Sequence, residues 1–175
     1  MMNNKQYWKR ELERGYNMKG NVEYRTLTSQ YDSALAELIR INLEAYHLDI
    51  PGTVYFDESL DHLSRFYSFD GRAYYVLLQN DMFIGGVGFS EFDGDCCELQ
   101  KLYLADAARG QGLGCQMIAY IENRAREMGY KRMYLETHSS LQAAVHIYEK
   151  TGYVEIPRPE NVVHSTMNKF YLKEL

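Results

Sequence analysis

The sequence predicts one α/β domain built on a mixed sheet, and three observations lead to that prediction. The chain has 175 residues, of which 46% are hydrophobic and 25% charged, as in a soluble globular domain. Helical and strand periodicities alternate along it. No Pro/Gly/Ser-rich linker, low-complexity tract or internal repeat interrupts it. We therefore expect a single domain over residues 21–175, preceded by a helical appendage over 1–20 with a short helix at 5–14.

The first half of the chain alternates strand and helix patterns. The expected elements are strands over 22–28, 73–78 and 82–89, a first helix that ends near Asp49, and a short helix carrying Leu60, Leu63 and Phe66. Ser29 is expected to cap the first helix, since its side-chain oxygen can accept a bond from a free backbone N–H. Asn80-Asp81 predicts a hairpin turn between the second and third strands.

The second half repeats this alternation. The expected elements are strands over 96–104, 131–137, 153–156 and 166–172, a loop over 157–165, a helix over 142–150, and a longer helix whose apolar stripe is Met117, Ile121, Ala125 and Met128. Gly129 and Gly152 stand where these helices are expected to end. Asp93-Gly94 predicts a further turn before the fourth strand.

Charge and composition exclude several classes of function. The formal net charge is −5 with a pI near 5.5, and the absence of a Lys/Arg block argues against nucleic-acid binding. The polar start and the lack of an apolar run of about 18 residues argue against secretion and membrane spanning. Cys96, Cys97 and Cys115 imply no disulfide framework, so a reducing cytoplasm is expected. The five histidines show no metal-ligand spacing, and no metal site is expected.

A glycine-rich segment, Arg109-Gly110-Gln111-Gly112-Leu113-Gly114, lies between a predicted strand and a predicted helix. Such a loop can aim several backbone N–H groups at one phosphate, with help from the helix dipole and from Arg109. A plain tight turn from strand to helix is the alternative explanation of the spacing. A Walker loop is excluded because the segment ends in Gly-Cys, and a dinucleotide fingerprint because Cys115 replaces its third glycine.

Further features accompany the loop, and together they are specific. Arg109, Gly112 and Gly114 fit the pattern Arg/Gln-x-x-Gly-x-Gly/Ala, and the stretches LYL, MYLET and AAVHIYEKTGY flank it at matching positions. Over about residues 22–172 the chain resembles the GNAT superfamily of acyl-CoA-dependent N-acetyltransferases. It departs from the pattern at Asp106, where many members have proline, and at Leu141, where many have asparagine.

The resemblance implies both an architecture and a ligand. The fold would be a mixed, mostly antiparallel central sheet flanked by helices, with a splayed gap between the fourth and fifth strands. The acyl donor would be acetyl-CoA, with its pyrophosphate on the glycine loop and its pantetheine arm along the fourth strand. The residues implied to contact acetyl-CoA are Leu102, Tyr103, Leu104, Arg109, Gly110, Gln111, Gly112, Leu113, Gly114, Cys115 and Ala144.

Acetyl transfer to an amine requires a neutral nucleophile and a protonated leaving thiolate. The resemblance places a general base at Glu98 and a general acid at Tyr148. An exposed strand carboxylate and a packed helix aromatic are the structural alternatives for these two residues. Strict alternation puts Glu98 on one face with Gln100, Leu102 and Leu104, whereas a bulge in this strand changes that facing.

The predicted function is therefore transfer of an acetyl group from acetyl-CoA to a primary amine of a small molecule or a peptide, in a ternary complex. A degenerate acyl-CoA-binding sensor or interaction module is the alternative, and a plain scaffold domain is a third. A homodimer is compatible with either of the first two.

The acceptor pocket is expected from residues 44–67 and 157–168, together with the turn before Glu98. Carboxylates and aromatic rings cluster there, and this combination suits a small cationic amine. Solvated turns and helix starts are the alternative explanation for the same carboxylates. The cluster comprises Asp49, Asp57, Glu58, Asp61, Glu91, Asp93, Asp95, Tyr46, Tyr55, Phe56, Phe66 and Tyr67.

Overall fold

The computed structural model describes residues 21–160, 162 and 166–175. Its strands are β1 (Val22–Thr26), β2 (Ala73–Gln79), β3 (Met82–Asp93), β4 (Cys96–Leu104), β5 (Arg132–Thr137), β6 (Val154–Glu155) and β7 (Lys169–Glu174). Its α-helices are α1 (Asp32–Ala45), α2 (Leu63–Phe66), α3 (Leu113–Glu127) and α4 (Gln142–Lys150). Short 3₁₀ helices cover Ser29–Tyr31, Val54–Phe56, Leu60–His62 and Asp106–Ala108.

Within the described chain, seven strands form one sheet in the order β1-β2-β3-β4-β5-β7-β6. Neighbouring strands there run antiparallel, apart from the parallel pair β4 and β5. The mixed, mostly antiparallel sheet expected from the sequence is thus confirmed. The parallel pair lies in the middle of the sheet, where the chain passes from β4 through the glycine loop and α3 before it enters β5.

Each face of the sheet carries its own apolar core. On one face, Leu35, Leu38 and Ile39 of α1 are almost wholly buried against β2 and β3. On the other face, α3 and α4 cover the central strands, with Met117 and Ile121 fully buried. The apolar stripe predicted for α3 is therefore the buried face of that helix, whereas Met128 lies beyond the helix end and is 47% exposed.

Several element boundaries differ from the sequence prediction. Ser29 does not cap a helix: it begins a 3₁₀ turn, and α1 starts at Asp32 with no side-chain cap bond. The first helix ends at Ala45, short of Asp49, because the chain turns there and His47 takes a positive φ of 55°. β3 continues past Phe89 to Asp93, since it pairs with β4 along most of its length.

The turns follow the sequence more closely than the boundaries do. Asn80 and Asp81 both have positive φ, 50° and 62°, as a two-residue hairpin turn requires. Gly129 and Gly152, each with φ of 93°, follow the ends of α3 and α4. Left-handed backbone of this kind is what glycine allows at little cost after a helix.

The expected appendage at residues 1–20, its helix at 5–14, and part of the expected loop at 157–165 lie outside the described residues. Among the residues that the structure does describe, no helix has both the length and the apolar character needed to cross a bilayer.

Candidate active site

The parallel strands β4 and β5 part soon after they meet. Their register covers only Cys96 to Glu98 against Arg132 to Tyr134. Beyond Glu98, β4 continues to pair with β3 on one side, and β5 with β7 on the other. Among the described residues, the edges that face each other past this point have no ladder partners, so their backbone N–H and C=O groups are available to a ligand made of amides. The expected gap between the fourth and fifth strands is confirmed.

A β-bulge at Lys101 sets the facing of β4. The register slips between the pairs Gly88–Gln100 and Gly86–Tyr103, and Lys101 itself has φ of 52°. After the bulge, Leu102 and Leu104 pack on the α3 face of the sheet. The prediction that strict alternation places these two leucines on the same face as Glu98 is therefore wrong. The extra residue in the bulge moves the side chains that follow it to the opposite face.

Tyr74 holds this bulge in place. Its hydroxyl donates a hydrogen bond of 2.8 Å to the carbonyl oxygen of Lys101. Its ring lies where Cβ atoms on Gly86 and Gly88 would stand, at 2.5 and 2.4 Å from the nearest ring carbons. The two glycines therefore leave room for the tyrosine that fixes the active-site strand, a role that the sequence analysis did not assign to them.

The glycine loop leads directly into the N-terminus of α3, where backbone N–H groups have no side-chain cap. Gly110 and Gly112 have φ of 75° and 76°, and Gly112 directly precedes α3 without any side-chain cap bond. The first N–H groups of a helix have no partner within it, so those at Leu113, Gly114 and Cys115 are suited to an anion. The loop has the geometry that a pyrophosphate needs.

Two loop residues also have packing roles. A Cβ on Gly114 would lie 3.0 Å from Cδ1 of Ile147, so this glycine lets α3 approach α4 closely. Arg109 bonds to Asp106 at 2.8 Å and donates to the side-chain oxygen of Asn42, a buried residue of α1. The guanidinium thus ties the loop to α1.

Glu98 belongs to a chain of hydrogen bonds on the face of the sheet. The Tyr67 hydroxyl donates to Oε1 of Gln100 at 2.9 Å, and Nε2 of Gln100 donates to Oε2 of Glu98 at 2.7 Å. Burial raises the pKa of Tyr67 well above its usual value, so that the hydroxyl stays protonated. A carboxylate only accepts hydrogen bonds, hence the amide of Gln100 has one orientation.

Tyr148 approaches the gap from α4. It is buried, 6% exposed, and its ring centroid lies 6.0 Å from that of Tyr153 and 6.3 Å from that of Tyr171. Burial raises the pKa of Tyr148 above its usual value, which keeps the phenol protonated at neutral pH. A protonated phenol at this position is able to donate a proton to a leaving thiolate.

Two cavities meet beside Glu98. One occupies the gap, and its walls include Leu102, Tyr103, Ala144 and Tyr148. The second, which we call the α1-side cavity, lies on the face of the sheet that α1 covers, although no residue of α1 lines it. Its walls include Asp57, Ser59, Phe66, Ser90, Glu91, Phe92 and Tyr134. Four residues line both cavities, namely Glu98, Gln100, Lys101 and Glu136. A group held in the gap and a second molecule in the other cavity would therefore meet at these four side chains.

The structure brings some of the predicted residues together and separates others. Glu98, Tyr148, Leu102, Tyr103 and Ala144 share the cavity in the gap. The remaining predicted donor contacts belong to the strand end and the glycine loop: Leu104, Arg109, Gly110, Gln111, Gly112, Leu113, Gly114 and Cys115. Their contacts with acetyl-CoA stay a prediction, as do the chemical roles of Glu98 and Tyr148.

Part of the predicted acidic cluster has arginine partners instead of facing a cavity. Asp61 pairs with Arg40 at 2.7 Å and Asp95 with Arg132 at 2.8 Å. Asp57 and Glu91 do line the α1-side cavity, although Glu91 also pairs with Arg72. Gln100 was expected only as a facing neighbour of Glu98, and Tyr67 only as an aromatic ring of the acceptor pocket, whereas Lys101 and Glu136 were not expected in the site at all. Alternation along β4 placed Gln100 beside Glu98, but it carries no sign of the bulge at Lys101.

Among residues 21–160, 162 and 166–175, no group of three or more His, Cys, Asp or Glu side chains is placed to hold a metal ion.

Comparisons with known proteins agree with this architecture. The acetyltransferase (GNAT) family model matches residues 35–153. The uncharacterized N-acetyltransferase YjgM of Escherichia coli K12 is 40% identical over 136 residues, covering 75% of this chain and 81% of that protein. A GNAT-family acetyltransferase of Staphylococcus aureus Mu50 superposes with a TM-score of 0.78 at 19% identity, covering 88% of this chain and 99% of that one.

A second solved structure shares the fold. The PaiA N-acetyltransferase of Thermoplasma acidophilum, solved in complex with coenzyme A, superposes with a TM-score of 0.70 at 16% identity, covering 89% of this chain and 99% of that one. Its similarity concerns the fold alone. Family match, relative and architecture agree, and the chain belongs to the GNAT family of acetyltransferases.

Proposed function

We propose that this protein transfers an acetyl group from acetyl-CoA to a primary amine of a small molecule, by direct attack in a ternary complex. One observation carries the proposal: a cavity in the β4–β5 gap and a second cavity on the α1 side meet at Glu98. The first cavity continues the strand edge that leads to the glycine loop, as a donor site requires. The second cavity has Glu98 in its wall as well, as an acceptor site beside the same base requires.

Glu98 is the general base in this proposal. An alkylammonium of pKa ~10.4 has no lone pair at neutral pH, so the acceptor must lose a proton before it attacks. The hydrogen bond from Gln100 favours the ionised carboxylate, the form that accepts a proton. It also fixes the rotamer of the side chain at the meeting point of the cavities. Gln100 and Tyr67 are thus positioning residues for Glu98.

Loss of the Gln100 bond should change the pH dependence of turnover. We expect Gln100→Leu to move the acid limb of kcat/KM to higher pH, because the carboxylate loses a donor and is protonated more readily. Tyr67→Phe should move the limb in the same direction by a smaller amount, since it only loosens Gln100. Tyr130→Phe is the control, as it removes a comparable hydroxyl bonded to Gly71 away from the site. A limb that stays in place in both variants would contradict the positioning role.

Tyr148 is the general acid in this proposal. We expect Tyr148→Phe to lower kcat by about 10- to 100-fold with little change in acetyl-CoA affinity, since only the proton donor is removed. Steady-state rates and calorimetric titration measure the two quantities. Because Tyr148 is buried, a thermal melt of the variant should accompany them. Wild-type turnover in a folded variant would remove Tyr148 from the mechanism.

The acceptor is a cationic amine in this proposal. Asp57, Glu98 and Glu136 line the α1-side cavity beside the ring of Phe66, and this combination of charge and ring favours an alkylammonium over a neutral arylamine. We expect kcat/KM for diamines, polyamines or amino-acid amines to exceed that for arylamines and to fall as salt rises. Rates across an ionic-strength series check this. Turnover confined to neutral or anionic acceptors would contradict the pocket assignment and leave acetyl transfer intact.

Two measurements test the function as a whole. Calorimetric titration with acetyl-CoA should show saturable binding, and isotopically labelled acetyl-CoA should then transfer label to members of an amine panel. Binding without transfer to any amine would favour an acyl-CoA sensor. Absence of binding would contradict the donor site itself.

A further inference from the structure

Lys101 is the bulged residue of β4, and the mechanism proposed above does not use it. Its φ of 52° is uncommon for a residue with a side chain, and such backbone is often found at functional sites. The Tyr74 hydroxyl holds the Lys101 carbonyl at 2.8 Å, so the bulge has a defined partner. The side chain therefore leaves the strand at a fixed position between Gln100 and Leu102.

The ammonium group lies where the two cavities meet. The Lys101 side chain lines both the gap cavity and the α1-side cavity. Its Nζ atom lies 5.7 Å from the ring centroid of Phe66 and 6.0 Å from that of Tyr67. Within residues 21–160, 162 and 166–175, it forms no ion pair with a carboxylate. The chain thus places one of its own primary amines beside Glu98, at the position expected for an acceptor amine.

The surroundings of Lys101 bear on its protonation. Burial lowers the pKa of Lys101, while Asp57, Glu98 and Glu136 act in the opposite direction. A larger neutral fraction makes the amine a better nucleophile than a lysine in water.

We propose that Lys101 is an acetylation site of the protein itself, modified within one molecule when acetyl-CoA is bound and no external amine occupies the α1-side cavity. The inference rests on the proposed function, because it uses the same donor site and the same base.

The step balances as an ordinary aminolysis. Glu98 accepts a proton from the Lys101 ammonium, and the neutral Nζ attacks the thioester carbonyl carbon. The C–N bond forms as the C–S bond breaks, and CoA leaves as a thiolate that takes a proton from Tyr148. The nitrogen then loses its second proton, which restores the Tyr148 phenol, while the proton on Glu98 passes to solvent. One proton is released to solvent overall, and no oxidant or reductant is needed. Nζ changes from a cation into a neutral amide nitrogen. The new acetyl group occupies the place where the two cavities meet, and it should slow the turnover of external amines.

The test is incubation of the full chain with acetyl-CoA alone, followed by intact-mass measurement and peptide mapping. We expect one acetyl group per chain, located at Lys101 and formed at least about tenfold faster than at exposed lysines, since binding holds the reactants together. The first-order rate constant should be independent of protein concentration, as a reaction within one molecule requires.

Matched variants identify the reaction. Lys101→Arg should remove the acetyl group, whereas Lys131→Arg, at an exposed position at the start of β5, should retain it. Glu98→Gln should slow the modification by about 100-fold if the active site drives it. Should Lys101→Arg fail to fold, peptide mapping of the wild-type chain still locates the acetyl group.

Two negative results are distinguishable. A protein that binds acetyl-CoA and acetylates amines, yet modifies Lys101 no faster than Lys131, overturns this inference and leaves the proposed function standing. A protein that shows no calorimetric binding of acetyl-CoA overturns the proposed function, and the inference falls with it.

Discussion

Glu98→Gln is expected to reduce kcat/KM by about 100-fold or more near neutral pH, because the amide cannot accept the proton of the acceptor ammonium. The substitution preserves the size of the side chain but replaces one carboxylate oxygen with an NH₂ group. The loss should shrink as the pH rises towards the amine pKa of ~10.4, where the acceptor is already neutral without a base. A pH–rate series with one alkylamine measures both effects.

Glu155→Gln is the matched control for this experiment. Glu155 is a strand carboxylate on β6 that pairs with Lys169 at 2.8 Å, and the proposal gives it no role in the reaction. The Glu155→Gln variant should have the same pH–rate profile as the wild-type protein. A loss in Glu98→Gln that is equal at every pH would contradict proton transfer and indicate that Glu98 only orients the acceptor.

Gly112→Val is expected to weaken acetyl-CoA binding by at least about tenfold, or ~1.4 kcal/mol. A Cβ atom on residue 112 would have no protein atom within 4 Å. The valine side chain would therefore project into open space at the start of α3, where a phosphate would approach. The φ of 76° adds strain for a β-branched residue, of about 1–2 kcal/mol. Calorimetric titration gives the affinity, and a thermal melt gives the cost of the strain.

Gly94→Val separates these two effects. Gly94 has φ of 56° and equally open surroundings, but it lies in the turn between β3 and β4, at the opposite end of β4 from the glycine loop. Both variants should lose stability, and only Gly112→Val should lose affinity. Equal acetyl-CoA affinity in Gly112→Val and the wild-type protein would contradict the prediction that the loop binds the pyrophosphate.

Prediction from the sequence succeeded where local patterns decide the structure. The Asn80-Asp81 turn, the ends of α3 and α4, and the strand–loop–helix passage through Gly112 are encoded by a few neighbouring residues. Helix starts without a side-chain cap were harder. The helix expected after Ser29 begins instead at Asp32, whose carboxylate accepts bonds from Ser64, a contact between segments distant in sequence.

The site was only partly predictable for the same reason. Glu98 and Tyr148 were named as candidates through the resemblance to the GNAT superfamily, which implies a base on the strand before the glycine loop and an acid in the last helix. Gln100 and Lys101 are adjacent to one another, yet their roles depend on a bulge held by Tyr74 from β2 and on a hydrogen bond from Tyr67 beyond α2. Periodicity cannot reveal a residue inserted into a strand, because the insertion is stabilised by partners far along the chain.

The short ladder between β4 and β5 has a consequence for how the molecule opens. In the part of the chain that the structure describes, it joins the sheet half of β1 to β4 to the half of β5 to β7 through the pairs from Cys96 to Glu98 alone. Amide hydrogens on the facing edges beyond these pairs have no strand to protect them from exchange with solvent. A pantetheine arm lying between the edges would supply hydrogen-bond partners for these backbone groups and would thereby bridge the two halves of the sheet. We expect binding of the donor to slow hydrogen exchange at these amides on both edges.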